Sequence, residues 1–496
     1  MKKIIYFLGM IFLIIIIILN LLYTSFLNNS EHISISYNSW LYNFGMILLI
    51  ITIYYIANIT NKILYKKGVS YRRKTFRIAL LIYLLVNILW VIFINPKVVG
   101  DSVHVCNLAQ TFSRNNPQEF LFNSTYIGVP LYEYIQAYTH QIPLAFIFSL
   151  IFRLIHFDVM EVLRIVNIIS NIAIVIVLYK IQLKLSSKYA TNTSLLFILV
   201  LTFFTLPLLS TFVYGDLPSL ALCIFATYFI MCYTETHKIK YFIYTIFFTT
   251  IAYMMRMNSL IFIIATIIYM LLNLFSKWNQ YTLKNNLKNI SLIAIYIIGS
   301  ILPAILVINY YSNKYNLDNT KKYPTISYVL MAMEKSPRGN GWYNEDIAKD
   351  TLLNPDNAKH DYPKYIYKQI NYFFKNPDYT FDFYTKKIAS MWTENTYSAI
   401  RNNIRSNNDF IENFIQPLEF YQKALLLLTC SCTLIVLIQN RKKLSLEVIF
   451  LLTIFAGGFS FHILWEAKSR YIIPYIIVLI PIASICIDKI NLKNCK

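Results

Sequence analysis

The chain has 496 residues, 57% of them hydrophobic, 16% aromatic and only 14% charged, with a formal net charge of +21. That balance excludes a soluble enzyme or binding module and indicates a protein built for lipid. Its seven cysteines fall mostly inside apolar runs (Cys223, Cys232, Cys430, Cys432, Cys486), so core packing is expected rather than a disulfide framework or a metal centre.

The first element is the run "IIYFLGMIFLIIIIILNLL" after Lys2 and Lys3. It is too long for a signal peptide and no small-residue cleavage site follows, so it is expected to be the first span, residues 4–24. Further spans are predicted at 43–60, 78–95, 162–180, 193–212, 217–234, 241–256, 259–275, 289–310, 421–439, 445–465 and 471–488, about twelve in all, each near the ~20 apolar residues that a bilayer core demands. The runs lack barrel-type alternation, and in lipid only helices or closed barrels satisfy their own backbone. The expected fold is an all-α polytopic membrane protein with external interfacial helices and a small external α-rich region.

The positive charge locates the loops. Residues 311–420 hold 14 Lys/Arg against 13 Asp/Glu; the other 31 basic residues meet only 11 acids. The excess lies in short loops at 62–77, 180–188, 238–240, 277–288 and 441–443 and in the tail 489–496. This is a positive-inside pattern rather than a nucleic-acid footprint, and it puts both termini in the cytoplasm. Residues 142–155, "IPLAFIFSLIFRLI", would flip that alternation if they crossed. Fourteen residues is short, so an interfacial or re-entrant helix is expected within one external loop, 95–161. The domain division is then an N-terminal membrane module, 1–310, an external region, 311–420, with helices at 361–375 and 377–392, and C-terminal membrane helices, 421–496.

Ionisable residues avoid the span centres, which leaves polar chemistry to the external side. Asp101 follows Gly100 where a span ends, and His104, Leu108 and Phe112 continue from it along one helical face. Asp216 stands at the next such place, in "YGDLPSLAL". Each acid also reads as a helix cap or turn residue, and that reading stays open. Further candidates are His140 in "YTHQIP", Arg256 and Asn258 in "MMRMNSL", Arg338, Trp342 and Tyr343 in "SPRGNGWYN", and His462, Trp465, Glu466, Lys468 and Arg470 in "FHILWEAKSRYIIPY". Lys468 and Arg470 fit headgroup snorkelling or a lipid phosphate.

An acid after a span, the step His140–Pro143 ("HQIP"), the segment Leu163–Asn167 ("LRIVN") and the turn Tyr214–Pro218 ("YGDLP") together resemble the GT-C glycosyltransferases. The likeness is to the family 39 group of protein O-mannosyltransferases and aminoarabinose transferases, and to polyprenyl-phosphate-sugar-dependent enzymes of low-GC bacteria. It covers residues 78–275, and more loosely "GNGWYN", "KIASMWTENTY" and "WEAKSRYIIP". Two features depart from that pattern: Ser102 replaces the second acid common in mannosyltransferases, and two extra spans precede the loop. The resemblance implies an inverting transfer from a polyprenyl-phosphate sugar on the external face of the cell membrane, with Asp101 as general base. Asp216 and His104 would orient the base or the acceptor. Arg256, Lys468 and Arg470 would meet the donor phosphate, and His140, Arg338, Trp342, Tyr343, Glu466 and the aromatics around Trp392 would face a wall-polymer, polysaccharide, lipid or protein acceptor. No cofactor is implied; a divalent metal stays open, without ligand spacing to indicate it. The alternatives are a polysaccharide polymerase or ligase, which shares many spans and a large external loop, and a lipid-linked sugar flippase or transporter, which would carry polar or Gly/Pro interruptions in mid-membrane.

Overall fold

The computed structural model describes residues 1–94, 96, 100–114, 130–154, 159–280, 282–404 and 409–485, without the side chains of 159, 402–404 and 409–413. The roles expected for Cys486 and the basic tail fall outside these residues.

The N-terminal module begins with α1 (Lys2–Leu22), a hairpin β1 (Tyr23–Leu27) and β2 (Ile33–Tyr37), α2 (Trp40–Lys66) and α3 (Gly68–Phe93). Next come α4 (Asp101–Arg114), α5 (Leu131–Ala137) and α6 (Ile142–Leu154). Then come α7 (Val159–Leu185), α8 (Thr193–Leu201), α9 (Thr205–Leu208), α10 (Asp216–Thr236), α11 (Ile239–Met255), α12 (Leu260–Ser276) and α13 (Leu283–Lys314). Residues 311–420 hold, among those described, α14 (Ile326–Met333), the short pair β3 (Lys335–Ser336) and β4 (Gly339–Asn340), α15 (Glu345–Leu353), α16 (Pro355–Lys375), α17 (Pro377–Trp392), α18 (Ala399–Ile404) and the start of the next helix. The chain closes with α19 (Asp409–Asn440), α20 (Leu446–Ile463), α21 (Ile473–Ile477) and α22 (Ile480–Ala483).

Among the described residues ten helical segments are long and apolar enough to cross a membrane, or eleven if a bent pair counts as one. The protein is an all-α polytopic membrane protein. Two of the twelve expected spans take other forms. Helix α11 has 17 residues, about 25 Å at 1.5 Å per residue, short of the ~30 Å hydrocarbon core. The segment expected to span 471–488 is broken into α21 and α22, each with a proline in its first turn, where a missing N–H costs nothing but the preceding helix must stop. The bent pair is Leu131–Ala137 with Thr139–Leu154, which turns by 95°, so residues 142–154 do not continue a straight crossing from α5.

The interrupted span 193–212 exposes backbone groups that lipid could not satisfy, and buried amides supply the partners. Asn171 Nδ2 donates to Leu206 O (2.8 Å), Ser210 Oγ (2.9 Å) and Asn87 Oδ1 (2.8 Å), tying α3 and α7 to the break. Residues 311–420 dock on the N-terminal hairpin: Ile33 N donates to Arg338 O (2.9 Å), Ser25 N to Thr393 O (3.2 Å), and α17 packs against β1 and β2. Strands in the loop 25–38 were not foreseen from sequence, because five-residue strands with half-exposed faces carry little alternation.

Candidate functional site

Both acids singled out from sequence begin helices. Asp101 is the first residue of α4, after Gly100 at φ +64°, and its side chain is exposed. Its Oδ1 accepts from the Tyr134 hydroxyl at 3.4 Å, and the N-terminal end of α4 favours a negative charge there. Asp216 is the first residue of α10; the cap position belongs to Gly215, which makes no side-chain cap bond. The carboxylate instead meets two cations, Arg256 Nη2 at 3.3 Å and Arg470 Nε at 3.6 Å, while its Oδ2 is buried with no hydrogen-bond partner.

One short motif sets up both positions. In "LRIVN", Arg164 Nη2 donates to Pro96 O (2.8 Å) just before Asp101, and Arg164 Nη1 to Glu161 (2.8 Å). Three residues on, along the same face of α7, Asn167 Nδ2 donates to Ser210 O (3.1 Å) and Phe212 O (3.0 Å), just before Asp216. Packing of α4 on α6, and of α10 on α7 and α11, completes the frame.

Arg256 and Arg470 sit on a floor of aromatic faces. The Arg256 guanidinium lies 4.6 Å from the Tyr214 ring and 5.9 Å from Tyr471; Arg470 lies 4.4 Å from Phe212. Tyr214 is itself fixed by Gln141, whose Nε2 donates to its hydroxyl at 2.6 Å, and His140 neighbours Gln141 at 3.4 Å. Gly215 permits this closeness: a Cβ there would lie 2.6 Å from Met255 O and 3.2 Å from Leu144. Gly215→Ala is therefore expected to push α10 from the end of α11 and to cost about 1–3 kcal/mol, read as earlier thermal unfolding in detergent.

Beside the cations lies a small cavity of about 40 Å³ between α10, α12 and α21, with room for a few water molecules, lined by Leu217, Leu220, Phe262, Ile473 and Pro474, with Asp216, Arg256 and Arg470 also on its wall. Convergent charges beside apolar side chains are the chemistry expected where a ligand presents an anionic head next to an apolar tail. Lys468 completes the cationic set. It is half-buried, and burial, then the neighbouring Arg470, pulls its ammonium down to about 8. Its Nζ lies 3.5 Å from Glu31 Oε1. Glu31 occupies the tip of the hairpin at φ +62° and also pairs with Arg338 and Arg401.

The charge of Asp101 is felt at His140, Tyr214, Arg256, Glu466 and Lys468, so the expected base and the expected phosphate residues share one electrostatic space. His104 is buried with its ring 4.4 Å from Tyr134; burial lowers its pKa against the opposing pull of Asp101, which favours a neutral imidazole beside the acid. Glu466 is buried, and burial raises its pKa, against the pull of Lys468 and Arg338. Arg338 stacks at 4.9 Å on Tyr343 and bonds Glu345 at 2.8 Å. Trp342 is different: its ring is buried and its Nε1 donates to Ser390 Oγ at 2.8 Å, so it frames residues 311–420 rather than facing an opening. Trp392 likewise packs inside, 5.4 Å from Phe459. Tyr134, Tyr471 and Glu31 join the site unannounced, and Tyr214 and Gln141, which the sequence marked only as parts of the "YGDLP" and "HQIP" motifs, join it as side chains. The only further sequence signal is nearness to residues already singled out, diluted among 40 tyrosines. Among the described residues no three His, Cys, Asp or Glu side chains gather as a metal would require.

Residues 139–305 match the family model described as dolichyl-phosphate-mannose-protein mannosyltransferase. The matched stretch holds Asp216 and Arg256 and leaves Asp101, Lys468 and Arg470 outside it. With the many apolar helices, this similarity supports a multi-pass membrane glycosyltransferase of the GT-C kind, a class that takes a lipid-linked sugar donor. Neither the curated proteins nor the solved structures yield a match to the chain.

Proposed function

We propose that the protein transfers a sugar from a polyprenyl-phosphate donor to an acceptor hydroxyl on the external face of the cell membrane, with inversion. The supporting observation is the cluster of Arg256, Arg470 and Lys468 around Asp216, beside apolar side chains of α10, α12 and α21 and electrostatically coupled to an exposed Asp101. The donor phosphate meets Arg256, Arg470 and Lys468, and its polyprenyl chain runs along the apolar helices. The acceptor oxygen attacks the anomeric carbon as the bond from that carbon to the phosphate oxygen breaks. Asp101 takes the acceptor proton, and polyprenyl phosphate leaves with one more negative charge than it held in the donor. That added charge develops against fixed cations, which is where electrostatic preorganisation lowers a barrier. His104 and Tyr134 orient Asp101, while Asp216, paired with both arginines, offsets their mutual repulsion until the phosphate arrives. Arg338, Tyr343, Glu466 and His140 edge the acceptor side, with residues 311–420 as its cover, set between the membrane modules 1–310 and 421–496. The acceptor class is a cell-envelope glycan, lipid or protein.

The test uses purified protein in lipid nanodiscs with a labelled polyprenyl-phosphate sugar, following release of polyprenyl phosphate. The Lys468 cation persists below a pKa of about 8 and is lost above it. The donor kcat/KM, which reports free-enzyme groups, is therefore expected to decline above pH ~8, and Lys468→Arg is expected to remove that decline. A strict requirement for a polyprenyl diphosphate donor, or product with retained anomeric configuration, defeats the reading.

A further inference from the structure

The two cations Lys468 and Arg470 stand on a segment that is gripped from behind. Lys468 is extended (φ −160°, ψ 128°) and leads into a short 3-10 turn, Ser469–Ile472, that carries Arg470; Lys468 and Arg470 are half-buried, while Ser469 between them is buried. Ser469 is buried, and its hydroxyl donates to Glu394 Oε2 while sharing a 2.9 Å bond with Ser398 Oγ. Glu394 is buried as well. Its Oε1 accepts from Thr396 N (3.1 Å) and the Thr396 hydroxyl, and its Oε2 accepts from Ser398 N (2.8 Å) and Ser469. Two of the four partners are backbone N–H groups, one on each oxygen, so both oxygens must accept. An amide in this place would turn an NH2 toward one of these backbone donors.

The loop that carries Glu394 is held in a shape its residues disfavour. Tyr397 and Ser398 both lie in the left-handed region, at φ +52° and +56°, although neither is glycine. Such a conformation persists only where its surroundings over-determine it. Here the carboxylate does so by collecting Thr396 N and Ser398 N, and the loop in turn brings Ser398 Oγ to Ser469. The segment is also held at its start by the bond from Ala467 N to Gly341 O (2.7 Å) and at its charged ends by Glu31 and Asp216, while at residue 469 itself the described side-chain bonds run to Glu394 and Ser398.

We infer that Glu394 is a positioning residue for the anion site: by holding Ser469 it fixes the direction in which Lys468 and Arg470 face the phosphate of the lipid-linked donor. The inference rests on the donor reading proposed above. It adds a residue 75 positions away in sequence that touches neither substrate nor either cation's charged group in the described contacts.

The experiment compares Glu394→Gln and Ser469→Ala in the full-length protein in nanodiscs, with a polyprenyl-phosphate sugar as the varied substrate. Both substitutions are expected to raise the donor KM, Glu394→Gln about tenfold, the scale of one lost charge-assisted bond. In a protein already carrying Lys468→Met and Arg470→Met, the Glu394→Gln factor should shrink below about twofold, because residues acting through one another are not additive. A merely structural role removes active protein and lowers the apparent kcat at unchanged KM. Unchanged donor KM in both single variants, or a full tenfold factor surviving in the cation-less background, overturns the positioning role. If Glu394→Gln does not fold, Ser469→Ala, which deletes a single donor, carries the same test. Should the Lys468→Met, Arg470→Met protein itself keep a normal donor KM, the donor reading fails, and the role of Glu394 with it.

Discussion

Asp101→Asn is expected to lower kcat by on the order of 10²–10⁴-fold, the usual contribution of a general base, while the protein stays folded. The amide has the carboxylate's size and can still accept from Tyr134, but it cannot take a proton from the attacking hydroxyl. Stability should move little. The side chain is exposed and its hydrogen bond among the described residues is a long 3.4 Å. Loss of a charge at a helix N-terminus costs about 0.3–1 kcal/mol. The two readings left open by the sequence thus separate cleanly. A purely structural Asp101 would yield an Asn variant with near-normal turnover and a slightly lower melting temperature. His104→Gln should fall between these, slowing turnover by orienting the base less well. The measurements are turnover in nanodiscs and thermal unfolding of the same preparations.

The membrane architecture was legible because its physical cause is local: runs of about twenty apolar residues bounded by basic loops need no tertiary information. Helix α4, with His104, Leu108 and Phe112 all buried, follows from spacing alone. What sequence obscured are features decided across distance. Pro474 and Pro481 sit in a run apolar enough to span, yet each starts a new short helix. Trp342 looked like a loop aromatic facing a ligand, and only the position of Ser390, 48 residues on, reveals it as packing. Asp216 read equally as a turn residue until two arginines from separate segments met it. Glu31 and Glu394 were invisible as site residues, since an acid in a polar loop has no local mark of the cations or hydroxyls it will gather.

Arg470→Met is expected to reduce the donor kcat/KM by on the order of 10²–10³-fold, comparable to deleting one preorganised donor at a site of developing charge. The donor is a phosphodiester with one negative charge, and the leaving polyprenyl phosphate acquires a second. A cation fixed at the phosphate therefore binds the transition state better than the ground state, and kcat should fall as well as KM rise. Arg470 suits this because it needs no reorganisation: its side chain is largely buried, stacked 4.4 Å from Phe212 and balanced by Asp216 at 3.6 Å. Arg470→Lys should recover little, since a single ammonium cannot both lie flat on Phe212 and present two N–H groups to a phosphate. That outcome contrasts with Lys468→Arg, which keeps the charge and should work at higher pH than the parent. A kcat/KM within threefold of normal for Arg470→Met would place the phosphate elsewhere, and would leave the cluster around Asp216 as an internal ion network of the bundle.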